Sequence, residues 1–262
     1  MIAASLEGHH IAVERRLQLG ATNIVRGAIL AGQIDVYPEY TGNGALFFHL
    51  EVDPAWKDAA LGYDKVKGLD RARNDLVWLA PAPANNTWMI AVRRDLADFH
   101  GKCVGDLARW LAAGGRLKLA ASAEFVESAS ALPAFEKTYG FHLSDRQLLV
   151  LAGGNTAATL RAAAEGMSGV NAAMAYGTDG ELAALDLLAL CDDQSAQVVY
   201  APAPVVRGPV LAQHPGIAAV LDPVFASLSL DTLRALNARI AVEGEDPRAT
   251  ALAYLAAKRL VP

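Results

Sequence analysis

The chain has 262 residues, of which 53% are hydrophobic and 19% are charged. That length and composition allow a substantial core, in one large domain or two small ones. The net charge is −5, and no run of lysine and arginine is long enough to follow a phosphate backbone, which argues against nucleic acid as a partner. No apolar window long enough to cross a bilayer survives in the sequence, so we expect no direct membrane insertion.

Short apolar runs rich in β-branched residues alternate with Ala/Leu-rich helical patterns, which predicts an α/β protein. The first predicted elements are strands at residues 11–19, 33–37, 77–80, 89–93 and 117–121, and helices at 23–31 and 104–113. Gly32 ends the first helix, and Pro38 suits the first turn of a helix that follows the second strand. The polar stretch at residues 50–74 has weak periodicity and is predicted to wrap the surface.

The second half of the chain continues the alternation. Helices are predicted at residues 131–139, 156–164, 231–240 and 247–259, and strands at 147–151, 172–176, 187–190 and 198–200. Residues 178–181 read Thr-Asp-Gly-Glu, which has the S/T-x-x-E form of a capping box. This pattern predicts that Thr178 and Glu181 cap a helix running through Leu185.

Two Ala-Pro-Ala-Pro segments, at residues 80–83 and 201–204, each follow a predicted strand. Proline fixes φ and cannot donate to a strand ladder, so each segment is predicted to be an extended, semi-rigid connector. Such a pair lets a chain leave one lobe, build a second and return. It predicts lobe one at residues 1–82 and 203–262 and lobe two at 83–202, the alternative being two coincidental proline-rich loops.

The usual signatures of catalysis and cofactor binding are missing: the sequence has no GxSxG, HExxH, Walker A or GxGxxG pattern. Gly153-Gly154 before a helix could offer N–H groups to an anion, although helix capping is the commoner use of such a turn. Asp192-Asp193 could hold a cation, although paired carboxylates in a loop are usually only solvated. We therefore predict no catalytic residue, no metal site and no cofactor.

The two cysteines, Cys103 and Cys191, lie far apart in the chain and show no metal-binding spacing. Buried, unpaired thiols are the favoured prediction, with a disulfide as the alternative.

Four large aromatic residues lie where predicted strands give way to helices or connectors: Tyr40, Trp88, Tyr176 and Tyr200. Ligands of α/β proteins bind at the carboxyl ends of strands and between lobes, so these rings could line one cleft. Aromatic faces attract a cation that cannot donate hydrogen bonds, with about 0.5–2 kcal/mol for each ring. The alternative for any single ring is ordinary core packing.

Residues 32–42 read Gly-Gln-Ile-Asp-Val-Tyr-Pro-Glu-Tyr-Thr-Gly, which resembles the GxIDxYPEYTG signature of glycine betaine/choline/proline-type ABC substrate-binding proteins. Further phrases that resemble the family lie at residues 86–88, 91–93, 138–141, 175–180, 192–193, 204–207 and 236–237. The resemblance covers almost the whole chain. Residues 171–180 and 200–204 look closest to the osmoprotectant-type YehZ/OsmF-like branch of the family.

This resemblance implies a type II periplasmic-binding-protein fold, with two α/β lobes joined by two hinge segments that close on a solute. It implies a non-enzymatic, periplasmic component of an ABC importer that captures glycine betaine or a related quaternary-ammonium or zwitterionic compatible solute, such as choline. Its partners would be the small solute and an ABC permease and ATPase complex. The ligand-binding residues that it implies are Tyr40, Asn43, Asn86, Thr87, Trp88, Ser128, Tyr176 and Tyr200.

Two features depart from the family pattern. Relatives often carry an arginine that grips the solute carboxylate in an EFxxR motif, and Ser128 stands at that position, where a hydroxyl cannot make a bidentate contact. The family also opens with an export signal and a strand, and neither is visible in this sequence. We therefore expect a chain truncated at its N-terminus, with the first strand of lobe one missing. The alternative is a lobe one that lacks a central strand and leaves the cleft open on that side.

Two other functions are compatible with the sequence. The same module could be a sensor or regulatory ligand-binding protein for another small zwitterion, without transport. An enzyme on a similar two-lobed scaffold would use Asp179 or Glu181 as its acid or base, although the predicted capping box already gives Glu181 a structural role.

Overall fold

The computed structural model describes residues 1–96, 99–152 and 155–262. Within these residues the chain forms two compact units. Unit 1 comprises Met1–Asn85, Val199–Leu236 and Gly244–Pro262, and unit 2 comprises Asn86–Val198 and Asn237–Glu243. Gly153 and Gly154, for which anion binding is the alternative to helix capping, lie outside the described residues.

Strands and helices alternate along most of the chain. The strands are β1 (Val36–Tyr40), β2 (Leu76–Trp78), β3 (Trp88–Arg93), β4 (Leu119–Ser122), β5 (Leu148–Leu151), β6 (Ala172–Tyr176), β7 (Leu187–Ala189) and β8 (Pro202–Arg207). The helices are α1 (Ile2–Gly8), α2 (Thr22–Leu30), α3 (Asn43–Phe48), α4 (Ala59–Asn74), α5 (Val104–Ala112), α6 (Ala123–Glu127), α7 (Leu132–Tyr139), α8 (Thr156–Ala164), α9 (Glu181–Ala184), α10 (Gly208–Gln213), α11 (Gly216–Ala226), α12 (Leu230–Ala241) and α13 (Pro247–Ala257). Short 3₁₀ helices lie at Pro54–Lys57, Asp145–Gln147 and Met167–Gly169. The predicted counterparts of α2, α5, α7, α8, α12 and α13, and of β2 to β7, are confirmed to within a residue or two at each end.

The sheet of unit 1 is antiparallel, in the order β1-β8-β2. The strand predicted at residues 33–37 begins only at Val36, and Pro38 lies inside it instead of opening a helix. β1 is an edge strand that pairs with β8 alone, and an edge is where a residue without an N–H is tolerated. Strand alternation buries Tyr37 and Glu39 on one side and exposes Pro38 on the other.

The second Ala-Pro-Ala-Pro segment is not a connector, because its last residues open β8. Its carbonyl groups accept hydrogen bonds from the first Ala-Pro-Ala-Pro segment and from the residue just before that segment. Ala82 N donates to Pro202 O at 2.8 Å, and Leu79 N donates to Pro204 O at 2.9 Å. Proline lacks a donor but keeps its acceptor, so the two segments can lie side by side. The strand predicted at residues 198–200 is wrong, since regular pairing starts at Pro202.

One further prediction in unit 1 is wrong, and a second, the surface position of residues 50–74, is right but omitted a helix. Residues 11–20 form no strand. The only described strand that pairs with β1 is β8, so residues 11–20 do not add a strand beside β1, and a strand cannot persist without a partner for its hydrogen bonds. They instead line an open cavity of about 1130 Å³ together with β1 residues such as Val36 and Tyr37. The stretch at residues 50–74 contains the 16-residue helix α4, whose start is capped by the Asp58 carboxylate accepting from Ala60 N and Leu61 N.

Unit 2 is built on a mixed five-stranded sheet in the order β5-β4-β6-β3-β7. β4 runs parallel to β5 and β6, and β3 runs antiparallel to β6 and β7. Alternate residues of β3 enter two apolar clusters: Ile90 and Val92 pack with α5, α6 and α7, whereas Ala91 packs with α8. Alanine dominates the second cluster, which lets α8 approach the sheet closely.

The predicted capping box at residues 178–181 is not formed. Gly180 holds the N-cap position of α9 in an αR conformation, with no side-chain cap. The Thr178 hydroxyl instead donates to Asn86 Oδ1 at 2.5 Å, and Asp179 Oδ2 accepts from Tyr176 N at 2.8 Å. The Thr178 hydroxyl, which the sequence pattern assigned to the helix cap, therefore donates to the segment that precedes β3.

The cysteines are paired, which corrects the prediction of unpaired thiols. Cys103 and Cys191 form a disulfide with Cα atoms 4.2 Å apart, although the two residues are 88 positions apart in the chain. Cys103 precedes α5 and Cys191 follows β7, and backbone bonds hold the two sites together: Val104 N donates to Cys191 O at 2.9 Å. The sequence carries no sign of this pairing, because only the sheet of unit 2 brings the two segments together.

No single helix among the described residues is long and apolar enough to cross a membrane. The helices α11 and α12 taken together are long and apolar enough by length and composition alone, but the pair is bent by 89°.

Candidate functional site

Two of the four predicted aromatic residues stack on each other in unit 2. Trp88 opens β3 and Tyr176 closes β6, and the antiparallel register pairs them directly. Their ring centroids lie 4.3 Å apart at an interplanar angle of 25°, and Phe125 packs against Trp88 at 5.3 Å with an angle of 64°. Both stacked side chains are half-buried. Each ring covers one face of the other, so the pair cannot enclose a cation between its two rings. A solute can contact the pair only at its outer faces and edges.

Asn86 and Thr87, the two residues before Trp88, are hydrogen-bonded to the turn after Tyr176 and to Val198. Asn86 Oδ1 accepts from the Thr178 hydroxyl, and Thr87 O accepts from Gly177 N at 2.9 Å. The Thr87 hydroxyl is buried and donates to Val198 O at 2.7 Å. A hydroxyl has one proton, so Thr87 can offer a solute only its lone pairs.

The turn after Tyr176 is packed against the C-terminal part of α12. Asn237 Nδ2 donates to Thr178 O at 2.8 Å. A Cβ added at Gly180 would lie 2.2 Å from Ala238 N and 2.6 Å from the Asn237 carbonyl carbon. The turn that carries Tyr176 thus needs glycine because of close backbone contact.

Gly180→Ala is therefore expected to lower the free energy of unfolding by about 1–3 kcal/mol, because neither backbone can move aside. Urea unfolding would measure the change. Gly27→Ala, in α2, is the matched control: its Cβ would meet nothing within 4 Å, and alanine favours the helix interior by up to about 1 kcal/mol. Equal effects of the two substitutions would contradict the packing argument.

Ser128 ends α6 in unit 2. Its backbone N donates to Glu124 O at 2.9 Å, its carbonyl accepts from Ala131 N at 3.0 Å, and its Oγ lies 2.9 Å from Ser130 Oγ. The same short helix carries Phe125, which contacts Trp88, so Ser128 lies on the element that supports the stacked rings. Its hydroxyl is a short polar group in the position of the family's arginine.

The Asp192-Asp193 pair is neither a cation site nor merely solvated. Asp192 accepts from the Tyr139 hydroxyl at 2.5 Å, from Ala196 N at 2.9 Å and from Gln197 N at 2.8 Å. Asp193 lies close to both cysteine sulfurs, but these are bonded to each other and are not metal ligands. Asp192 therefore stabilises the loop that follows β7, and Asp193 joins this loop to the start of α5 by accepting from Gly105 N at 3.0 Å.

Unit 1 carries the other three predicted residues, Tyr40, Asn43 and Tyr200, and two of them meet at one buried carboxylate. Glu39 is only 3% exposed, and its Oε1 accepts from Tyr40 N at 2.7 Å and from Asn43 Nδ2 at 2.6 Å. Its Oε2 accepts from the Tyr37 hydroxyl at 3.1 Å. Burial raises the pKa of Glu39, while these three donors act in the opposite direction.

A buried ion pair lies behind Glu39. Arg26 Nη1 donates to Asp70 Oδ2 at 2.9 Å, and Arg26 Nη2 contacts Asp70 Oδ1. Burial raises the pKa of the Tyr37 hydroxyl, and the Arg26 guanidinium acts in the opposite direction. Trp78 Nε1 donates to Asp70 at 2.6 Å. We call Trp78, Asp70, Arg26, Tyr37 and Glu39 the buried polar network. It connects β2, α4 and α2 to the end of β1.

Tyr200 is held beside the end of β1 by backbone contacts. Thr41 donates its hydroxyl to Val199 O at 3.1 Å, and its Oγ1 accepts from Ala201 N at 3.1 Å, so it bonds both neighbours of Tyr200. Tyr200 N donates to Asn85 Oδ1 at 2.8 Å. Burial raises the pKa of the half-buried Tyr200 hydroxyl. Tyr40 and Tyr200 therefore lie on adjoining segments of unit 1.

Three of the residues that order these groups were missed as site residues: Glu39, Thr41 and Thr178. Each lies inside a phrase that resembles the family, so the motifs pointed to them without showing a role. No signal in the sequence singled out Glu39, because Pro38 predicted a helix start there and only the strand β1 buries its carboxylate.

Over residues 1–257 the chain matches the family described as the substrate binding domain of ABC-type glycine betaine transport systems. The chain belongs to this family. It is 59% identical over 259 residues to the glycine betaine-binding protein YehZ of Escherichia coli, a match that covers 98% of this chain and 85% of YehZ. It is 34% identical over 244 residues to a glycine-betaine-binding protein of Pseudomonas aeruginosa, with 90% and 76% covered. The structure of apo YehZ from Escherichia coli matches with a TM-score of 0.89 at 58% identity, covering 99% of this chain and 93% of that one.

Membership in this substrate-binding family confirms the resemblance found in the sequence, including the YehZ-like branch. The fold is that of type II periplasmic-binding proteins, with two α/β units. Members are non-enzymatic, extracytoplasmic solute-binding components of ABC importers. The acid/base roles considered for Asp179 and Glu181 are thereby set aside.

Proposed function

We propose that this protein captures glycine betaine or a related quaternary-ammonium or zwitterionic solute, such as choline, for an ABC permease and ATPase complex. The two relatives named as glycine betaine-binding proteins, one of them 59% identical, support this proposal. The observation in the molecule that carries it is the stacked pair of Trp88 and Tyr176, where β3 begins and β6 ends in the unit 2 sheet. Such a surface suits a large, weakly hydrated cation better than a small hydrogen-bonding one.

Units 1 and 2 would be the two lobes, close to the division at residues 82 and 202 that the sequence predicts. Tyr40, Asn43 and Tyr200 would contact the solute from unit 1, and Asn86, Thr87, Trp88, Ser128 and Tyr176 from unit 2. Four rings at about 0.5–2 kcal/mol each give a gross of about 2–8 kcal/mol. Micromolar affinity needs about 8 kcal/mol, so polar contacts and lobe closure must contribute as well.

The solute carboxylate would be met by neutral donors, because Ser128 replaces the arginine. Asn86 is the best placed of these, since Thr178 engages its Oδ1 and so turns the amide Nδ2 away from that bond. Neutral donors bind a carboxylate less strongly than a guanidinium. We therefore expect a smaller preference for glycine betaine over choline than an arginine would give.

The proposed compartment is the periplasm. The disulfide between Cys103 and Cys191 supports this assignment, because disulfides persist in oxidising compartments and are rare in the cytosol.

Trp88→Ala and Tyr176→Ala are each expected to weaken binding of glycine betaine and choline about ten- to thirtyfold, which corresponds to about 1.4–2 kcal/mol. The physical reason is that each variant removes one cation-binding face and the stacking that orients the remaining ring. Isothermal titration calorimetry against glycine betaine, choline, proline betaine and proline would measure the affinities.

Trp110→Ala is the matched control, since Trp110 packs on Phe99 in the same unit, away from the stacked pair. Its affinity should equal that of the wild type. Wild-type affinity in both Trp88→Ala and Tyr176→Ala would exclude the stacked pair as a cation-binding surface. A wild-type protein that binds none of the quaternary amines would overturn the proposed function.

A further inference from the structure

Glu39 holds two groups of the proposed solute site at once. Its Oε1 accepts from the backbone N of Tyr40 and from the side-chain amide of Asn43, at 2.7 and 2.6 Å. We infer that Glu39 is a positioning residue for the solute: it fixes the Asn43 amide with Nδ2 turned inward, so that Asn43 presents its Oδ1 to the cationic end of the solute. This inference rests on the proposed function.

The orientation of the Asn43 amide follows from the chemistry of its partners. A backbone N–H can only donate, so Glu39 Oε1 acts as an acceptor toward Tyr40. The tightly bound Asn43 atom beside the same oxygen is then the NH₂ group, because an amide oxygen there would face another acceptor. Without Glu39 the amide could rotate, since its oxygen and nitrogen ends are nearly the same size.

Glu39 is itself held on both sides. Its other oxygen, Oε2, accepts from the Tyr37 hydroxyl at 3.1 Å, and the positive charge of Arg26 favours the ionised form of Glu39. The carboxylate is almost fully buried, so it cannot turn to water to satisfy its lone pairs. These contacts leave Glu39 one arrangement, which sets the position of Asn43.

The net charge of the buried polar network also supports contact between Asn43 and the cationic end of the solute. Arg26 is its one cation, and it faces two carboxylates, Asp70 and Glu39. With both carboxylates ionised the network carries one excess negative charge next to Tyr40 and Asn43. An amide oxygen backed by negative charge attracts the polarised methyl groups of a quaternary ammonium and repels a carboxylate. The cationic end of a betaine would therefore lie against Asn43 and its carboxylate elsewhere.

A double-mutant cycle tests this role. Glu39→Ala and Asn43→Ala should each weaken glycine betaine and choline about tenfold, and to the same extent for both solutes, because both share the cationic end. The double variant should be no weaker than either single variant, since Glu39 acts through Asn43. Glu39→Gln keeps an amide oxygen that accepts from Tyr40 and Asn43 and loses only the negative charge, so its loss of affinity should be limited to about threefold.

Trp78→Phe is the control for general damage to the network, because it removes a hydrogen bond at the far end from Asn43. It should lower the melting temperature and leave both affinities unchanged. Additive losses in the double variant, or wild-type affinity in Glu39→Ala, would overturn the inference. Asn86→Ala should differ from these variants by weakening glycine betaine more than choline.

A readout without solute separates this inference from the proposed function. In ¹⁵N NMR spectra the Asn43 side-chain amide signals, identified by their loss in Asn43→Ala, should be shifted and protected from exchange in the wild type. They should return to ordinary amide positions in Glu39→Ala and stay near wild type in Glu39→Gln. If the wild type bound no quaternary amine, the proposed function would be wrong. If the Asn43 signals were unshifted in the wild type, the positioning role of Glu39 would be wrong, whether or not solute binds.

Discussion

Reduction of the Cys103–Cys191 disulfide should lower the free energy of unfolding by about 2–4 kcal/mol. The bond joins residues 88 positions apart, so in the unfolded chain it closes a long loop and removes many conformations. Cys191 is exposed, which makes the bond accessible to a reductant. Urea unfolding with and without dithiothreitol would measure the difference in midpoint.

The double variant Cys103→Ser with Cys191→Ser provides the control for this prediction. Its unfolding midpoint should match that of the reduced wild type and should not respond to dithiothreitol. The oxidised wild type should show no thiol that reacts with Ellman's reagent under denaturing conditions. Two reactive thiols in protein purified without reductant would contradict the pairing.

Arg26→Met is expected to lower the free energy of unfolding by about 3–5 kcal/mol. Asp70 has no exposed surface, and loss of the guanidinium leaves a buried carboxylate with only neutral donors such as Trp78 Nε1. An unpaired buried charge costs far more than the pair itself contributes. Urea unfolding followed by circular dichroism would measure the loss.

Two comparisons sharpen the prediction for the ion pair. Arg26→Met combined with Asp70→Asn should recover part of the lost stability, because the buried charge is removed together with its partner. Arg71→Ala, which breaks the exposed pair between Arg71 and Asp75, should have little effect. A double variant less stable than Arg26→Met alone would show that the carboxylate is not the source of the penalty.

The regular elements were predicted well wherever local sequence sets them. Helices such as α8 and strands such as β6 lie where the hydrophobic periodicity placed them. The errors occur where a distant partner decides the outcome. Pro38 suits a helix start by local rules, yet it lies in a strand because β1 is an edge strand with β8 beside it. Residues 11–20 have a strand pattern but no described strand pairs with them.

The candidate site was predicted in part. The motifs placed Trp88 and Tyr176 among the site residues, but not their direct stacking, which follows from the register of β3 against β6. They contained Glu39 without showing that it hydrogen-bonds Asn43, and the local pattern assigned Thr178 to a helix cap instead of to Asn86. In each case the missing information was which of several donors and acceptors a buried polar group meets.

The amino-acid sequence by itself determined the class of this protein. Motifs spread over nearly the whole chain indicated a two-lobed solute-binding protein, and four aromatic residues were predicted to bind a cation. Such motifs survive without tertiary information because each is a local run of residues. Only the tertiary structure decided the disulfide across 88 residues and the ion pair between Arg26 and Asp70 across 44. The physical reason is that both depend on side chains that sheet pairing and helix packing bring together, and sequence spacing does not encode that proximity.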